Sequence, residues 1–293
     1  MNIGIVGAGS VGLLVGSWLA MEHHQVTFYV RRDEQKNAIN QNGITLLPSN
    51  NVIPVKARLL SEVAEEALYF ICVKQYDINE VLSAMDVTKI KGSLVFLQNG
   101  MSHVDYIKSR SLRQPIVLGI VEHGSFKKDD LTVEHTGAGA IRLAHFTGKN
   151  GFIDELIQSL HIDAFPFVKA DDWYTMLAEK LVVNAVINPI TALFQVKNGM
   201  IVDNPYLHDV ARTLCEEATK ALGLSGQRQW ERVKSIILNT SENESSMLKD
   251  VKERRKTEID GISGYLLRLN QELPTTSFVF QSIKAIEWGW KEG

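Results

Sequence analysis

An α/β domain followed by an all-helical domain is the architecture this chain predicts, on three observations. Short apolar runs alternate with helical patterns through the first half, as in a parallel sheet with crossover helices. A glycine-rich turn stands between the first strand and the first helix, at residues 7–12. From Asp171 onward the strand-like runs stop and long amphipathic patterns take over.

The strand-length runs are Ile3–Val6, Val26–Val30, Leu68–Val73, Leu94–Leu97 and Ile116–Ile120, with helical patterns such as Ile78–Met85 and His103–Ser109 between them. Leu131–His135 and Ala140–Ala144 flank Thr136-Gly137-Ala138-Gly139 and predict an antiparallel hairpin added to the sheet. A helix at Phe152–Leu160 and a strand at Ala164–Val168 close the domain. Helices are then expected at Trp173–Phe194, Tyr206–Leu222, Gln229–Leu238, Met247–Glu272 and Ser277–Trp290. The domains therefore span residues 1–168 and 169–293.

Composition narrows the function classes. With 293 residues, 45% hydrophobic and 22% charged, the chain can build two cores. A net charge of −3 gives no general affinity for polyanions, so nucleic acid is not an expected partner. The basic run Lys249–Lys256 is broken by Asp250 and Glu253 and reads as the solvated face of a helix. Cys72, in an apolar run, and Cys215 are far apart, which suits a reducing cytoplasm. The eight histidines form no metal-type spacing, so no metal is expected. The first residues already build a strand, so no leader is expected, and no uninterrupted apolar run approaches the ~20 residues of a membrane span.

The turn is Gly7-Ala8-Gly9-Ser10-Val11-Gly12, entered from a strand and left into a helix. Gly7 permits the tight turn, Gly9 lets the backbone approach a pyrophosphate, and Gly12 lets helix and strand pack closely. Together with the helix N-terminus, which favours an anion, this is a Rossmann-type dinucleotide cradle. After the second strand, where NAD sites usually place an acidic residue, stand Arg31 and Arg32. Guanidinium groups suit a ribose 2′-phosphate, so NADP(H) is the expected cofactor, with Arg31 closest to the ribose. Loops after the later strands bring Lys74, Asn99 and Ser125 toward the same edge, where open sheets bind ligands.

In the helical half, Lys180, Asn184 and Asn188 recur every four residues within an apolar segment. That spacing aligns an ammonium and two amides along one helix face. Buried polar groups need partners, and with a nucleotide cradle upstream a ligand is the expected one. Ser245 or Ser246 can cap the helix that follows. In Thr257-Glu258-Ile259-Asp260 the two acids stand two apart on an expected helix, so at most one faces a shared cleft.

Together these segments resemble 2-dehydropantoate 2-reductase, or ketopantoate reductase. The matching motifs are the glycine turn, the Lys74 loop, Gln98-Asn99-Gly100-Met101, Lys180 through Leu193, Asn198-Gly199, Ser245-Ser246-Met247-Leu248 and Thr257-Glu258-Ile259-Asp260. They occur in the family's order across nearly the whole chain. The resemblance implies a Rossmann domain joined to a helical domain like that of 6-phosphogluconate dehydrogenase. It also implies NADPH-dependent reduction of 2-dehydropantoate to (R)-pantoate in pantothenate biosynthesis. By motif, Lys180 and Glu258 take catalytic positions; Asn99, Lys180, Asn184, Asn188, Asn198 and Ser246 contact the substrate. The cofactor falls to the glycine turn, Arg31, Lys74, Asn99, Ser125 and Glu258. The chain departs from the family at Lys249, at Gly261-Ile262-Ser263-Gly264 and in the Glu122–Ser125 loop. Rival readings are a reductase of another 2-oxo acid, a 3-hydroxyacid dehydrogenase of the same build and a non-catalytic dinucleotide sensor. The oligomeric state stays open, a homodimer included.

Overall fold

Ile3, Ile5 and Val6 are all wholly buried, so the first strand is covered on both faces, as strands of a parallel sheet are when helices pack on either side. The computed structural model describes residues 1–110, 112–149 and 151–290. The chain divides into two compact units, one of Met1–Gln98 with Asp105–Met176, the other of Asn99–Val104 with Leu177–Gly293.

To residue 169 the chain runs β1 (Asn2–Val6), α1 (Ser10–Met21), β2 (Gln25–Val30), α2 (Asp33–Asn42), β3 (Ile44–Leu47), β4 (Asn51–Ile53), β5 (Lys56–Leu59) and β6 (Leu68–Ile71). It continues through α3 (Ile78–Ala84), β7 (Ser93–Phe96), α4 (Ser102–Ser109), β8 (Ile116–Val121), β9 (Gly124–Lys127), β10 (Thr132–Gly137), β11 (Ile141–Thr147), α5 (Phe152–Ser159) and β12 (Phe167–Lys169). The main sheet has the order β12-β11-β8-β7-β6-β1-β2-β5. All pairs from β5 to β8 are parallel. The chain leaves β1 for β2 on one side and returns to β6 on the other. That reversal is the topological switch point, where open α/β sheets bind ligands at the carboxyl ends of the strands. Leu13, Leu14 and Leu19 of α1 belong to the same buried cluster as Ile5, Phe28 and Phe70.

A second sheet of order β4-β3-β10-β9 corrects the sequence reading. The expected hairpin of Leu131–His135 with Ala140–Ala144 does not form. β10 pairs antiparallel with β9, whereas β11 pairs antiparallel with β8 in the main sheet. The tight turn lies earlier, where Asp129 Oδ1 accepts the Leu131 and Thr132 amides at 2.8 Å each, an Asx turn. The segment around Gly139 is a crossing between sheets. A Cβ there would lie 2.5 Å from the Glu122 carbonyl oxygen, so only glycine passes.

The helical elements are α6 (Trp173–Phe194), α7 (Met200–Asp203), α8 (Pro205–Leu222), α9 (Gly226–Asn239), α10 (Ser246–Lys252), α11 (Ser263–Leu269) and α12 (Pro274–Gly289). α6 is long and apolar enough to cross a membrane by length and mean hydropathy, but 72% of that stretch is buried in the protein. The single helix expected over Met247–Glu272 is broken into α10 and α11. Arg254 takes a left-handed φ of 51°, and the Thr257 amide and hydroxyl both donate to Glu287 Oε1 of α12, at 2.8 and 2.7 Å. Glu258 and Asp260 therefore lie in a turn, and the helix-face argument about them does not apply.

Candidate active site

Three glycines in one turn meet three different surroundings. Gly7 has φ +100°, and a Cβ there would sit 2.6 Å from Val73 Cγ1; a Cβ on Gly12 would sit 2.0 Å from the Gly7 carbonyl oxygen. Both are demanded by the fold, through backbone conformation and helix–strand approach. A Cβ on Gly9 would meet no protein atom within 4 Å. Its bare backbone is not needed for packing, and that fits a surface kept open for a ligand's phosphates. α1 begins immediately after Gly9 with no side chain capping it, so its first amides face the same place.

Basic side chains follow the neighbouring strands β2 and β6. Arg31, just past β2, forks onto Asp77, Nη1 to Oδ1 at 3.3 Å and Nη2 to Oδ2 at 3.1 Å. The Asp77 amide in turn donates to the Lys74 carbonyl at 3.0 Å, which ties the Lys74 loop to the end of β2. Lys74 itself is half-buried, next to Val73, which underlies Gly7. The Gln98 amide donates to the Ile71 and Val73 carbonyls at 2.7 and 3.0 Å, bracing this end of β6. Arg32 pairs with a different carboxylate, Asp130 Oδ2, at 2.5 Å.

Lys127 joins them, unnoticed in the sequence because Lys127-Lys128-Asp129-Asp130 looks like an ordinary charged loop. Its Nζ donates to the Ala8 carbonyl at 3.2 Å and to Asp130 Oδ1 at 2.8 Å. Burial pushes the Asp130 carboxyl up, but hydrogen bonds from Lys127 and Arg32 outweigh it and hold it below the usual carboxylate range. Ser125 belongs to strand β9 and not to the loop expected after β8. Two residues from Lys127, it shares that side chain's face of the strand.

In the helical unit, Leu181–Val183 and Ala185–Ile187 are all buried, while Lys180 and Asn184 alone in this span remain half-buried. The polar stripe is thus where this face of α6 opens; Asn188, one turn on, is buried. Glu179 accepts from Gln229 and Arg232 of α9 at 3.0 and 2.9 Å, which sets the rotation of α6 and turns Lys180 about 100° away from α9. Thr191 Oγ1, one turn past Ile187, donates to Ser245 Oγ at 2.7 Å. Ser245 is the cap of α10, accepting the Leu248 amide at 3.0 Å, and Ser246 is left exposed.

Asn198 is buried, its amide donating to Thr240 Oγ1 at 2.9 Å and its backbone N–H to the Asn243 carbonyl at 3.0 Å. The loop before α7 is thereby bound to the loop before α10. Asn99, though it follows β7, belongs to the helical unit, where its Nδ2 donates to Glu258 Oε2 at 3.0 Å. Lys180, Asn184 and Asn188 are thus one stripe of α6, Asn198 and Ser246 flank the 240–245 loop, and Asn99 meets Glu258.

Thiol and metal chemistry have little footing here. Burial pushes the Cys72 thiol up, and burial with the Glu216 charge raises Cys215 to about 11, so neither is a thiolate near neutral pH. Among the described residues no three His, Cys, Asp or Glu side chains are placed to hold a metal ion.

A glycine cradle at the switch point of a parallel sheet, cations beside it and a helical unit presenting a lysine stripe define a dinucleotide-dependent oxidoreductase. Residues 3–148 match the family model of ketopantoate reductase PanE/ApbA, and residues 172–287 match the model of its C-terminal part. The chain is 39% identical over 294 residues to the 2-dehydropantoate 2-reductase of Bacillus subtilis, covering 98% of each. A crystal structure of a probable 2-dehydropantoate 2-reductase from Bacillus subtilis superposes with TM-score 0.88 at 39% identity, over 98% of this chain and 100% of that one. A D-mandelate dehydrogenase shares the fold, with TM-score 0.92 at 21% identity over 99% of both chains. The chain belongs to the ketopantoate reductase family.

Proposed function

We propose that this protein is an NADPH-dependent reductase that converts 2-dehydropantoate to (R)-pantoate, a step of pantothenate biosynthesis. The observation that carries the reading is the lysine–asparagine stripe of α6, in which Lys180 and Asn184 stay half-buried among buried apolar neighbours. A dinucleotide sensor has no need of an ammonium so placed. In this reading residues 1–168 hold the cofactor and residues 169–293 the substrate.

The chain's own groups fit NADP(H). The uncluttered Gly9 backbone and the first amides of α1 suit the pyrophosphate, Arg31 suits the 2′-phosphate, and Lys74, Ser125 and Asn99 are the further cofactor contacts of this reading. When bound, NADPH supplies the hydride. Reduction of a ketone leaves an alkoxide, which needs a proton and positive potential, and Lys180 Nζ offers both. Asn184 and Asn188 orient the substrate's oxygens without adding charge, and Asn198 and Ser246 contact its other polar groups. Glu258, buried and accepting from Asn99, keeps that amide aimed. A homodimer and a cytoplasmic location complete the reading, the latter supported by two free thiols.

The test is NADPH oxidation followed with a panel of 2-oxo acids that includes 2-dehydropantoate. Preference for 2-dehydropantoate is expected. Faster turnover of another acid would move the chain to a sister activity, and no turnover of any would point to the sensor.

A further inference from the structure

A phosphate monoester and a carboxylate make similar demands on their surroundings, since each offers paired anionic oxygens to more than one cation. Asp130 occupies such a place. Its two oxygens take Arg32 at 2.5 Å and Lys127 at 2.8 Å, and Lys127 is also held to the Ala8 carbonyl of the glycine turn at 3.2 Å. Gln35, buried at the start of α2, lies at the same spot, its Nε2 3.5 Å from the Ala8 carbonyl and 3.4 Å from Asp130 Oδ1. All of these groups sit around the first two residues past β2 and the glycine turn, where a Rossmann site reads the ribose 2′-position.

We infer that Lys127 is a further cation of the 2′-phosphate subsite, and that Asp130 is a competing carboxylate that sets how tightly NADP(H) is held. The inference rests on the NADPH reading above. Arg31 is bidentate to Asp77, so its charge is already matched by one carboxylate. Arg32 and Lys127 share a single carboxylate between two cations, which leaves one positive charge in excess. That excess is where a dianionic phosphate gains most. Lys127 is also less free than Arg32, with side-chain exposures of 29% and 55%, so less ordering is needed when an anion arrives. Asp130 opposes the same phosphate, because any geometry that holds Arg32 and Lys127 near it also holds a negative charge near it.

The two residues therefore have opposite effects on one ligand group. Direct titration with NADPH, NADH, adenosine 2′,5′-bisphosphate and 5′-AMP separates the contributions. Lys127→Ala is expected to weaken NADPH and adenosine 2′,5′-bisphosphate by about tenfold, as loss of a charge-assisted hydrogen bond does, with NADH and 5′-AMP within twofold. Asp130→Asn is expected to tighten the two 2′-phosphorylated ligands by roughly three- to tenfold and to leave the other two unchanged. Lys127→Met keeps the aliphatic stem and should repeat the Lys127→Ala result if that variant folds poorly. Equal losses for all four ligands, or weaker NADPH binding by Asp130→Asn, would overturn the inference and make the cluster a brace for the turn. Wild-type protein that binds NADH as tightly as NADPH would instead remove the cofactor reading itself, before either variant is compared.

Discussion

Asn99 Nδ2 donates to Glu258 Oε2 at 3.0 Å, joining positions 159 residues apart within the helical unit. The bond gives a buried carboxylate a partner, and it fixes which way the Asn99 amide points. Glu258→Gln keeps an acceptor oxygen for Asn99 but removes the charge. Turnover should fall about 100-fold, the lower end of what acid–base groups contribute, while the thermal midpoint stays within a few degrees. A large loss of stability with residual turnover near wild type would make Glu258 a structural partner only.

The glycine turn allows a cleaner separation of folding from binding. Gly12→Ala drives a Cβ against the Gly7 carbonyl oxygen at 2.0 Å, and overpacking costs typically about 1–3 kcal/mol. Gly9→Ala meets no protein atom within 4 Å. Thermal unfolding should therefore register Gly12→Ala strongly and Gly9→Ala hardly at all, whereas NADPH titration should register Gly9→Ala. Loss of stability in Gly9→Ala comparable to that of Gly12→Ala would count against the cradle.

Arg31 is the cation next to the end of β2, and its pairing with Asp77 pre-orients the guanidinium. A charge-assisted hydrogen bond contributes about 1.5–3 kcal/mol, so Arg31→Ala should weaken NADPH by roughly ten- to a hundredfold and leave NADH nearly unchanged. The ratio of the two dissociation constants checks it; equal losses would mean that Arg31 does not read the 2′-phosphate.

Much of this was legible in the residues because period and turn chemistry are local. The parallel strands, α6 and the glycine turn all announce themselves through short-range pattern. The second sheet did not, because Asn51–Ile53 is short and mostly exposed and Gly124–Lys127 is half-buried throughout; neither shows a clear alternation. The expected hairpin fails because glycines mark close chain crossings as readily as turns, and at Gly139 the crossing is what requires one. The break between α10 and α11 depends on Thr257 bonding to Glu287, thirty positions on, which no local pattern reports. Lys127 was invisible for a similar reason: its tie to Ala8 spans 119 positions.

A pH dependence of stability follows from His123. Its Nδ1 accepts the Gly139 amide at 3.1 Å, so the His135 Nε2 lying 3.0 Å away must be the donor of that pair. A proton on His123 Nδ1 would face both donors. Burial first, then the nearby His135, lowers His123 to about 4 from an ordinary 6.5. A folded-state value below the unfolded one favours folding above pH 6.5 and loses that contribution as pH falls toward 4. His135, also lowered by burial, acts in the same direction. The thermal midpoint should fall between pH 7 and 5, and His123→Asn, which keeps an acceptor in the Nδ1 position, should flatten the slope. An equally steep slope in that variant would place the titrating group elsewhere.

Lys180, on the polar stripe of α6, is the group that protonates the reduced carbonyl in the proposed reaction. The decisive measurement is the rate of NADPH oxidation with saturating 2-dehydropantoate, wild type against Lys180→Ala, at saturating cofactor. General acid catalysis contributes about 10²–10⁴-fold, so a loss on that scale is expected, with NADPH affinity held within a few-fold. A Lys180→Ala variant that turns over as fast as wild type would contradict it, because the proton would then have to come from another group.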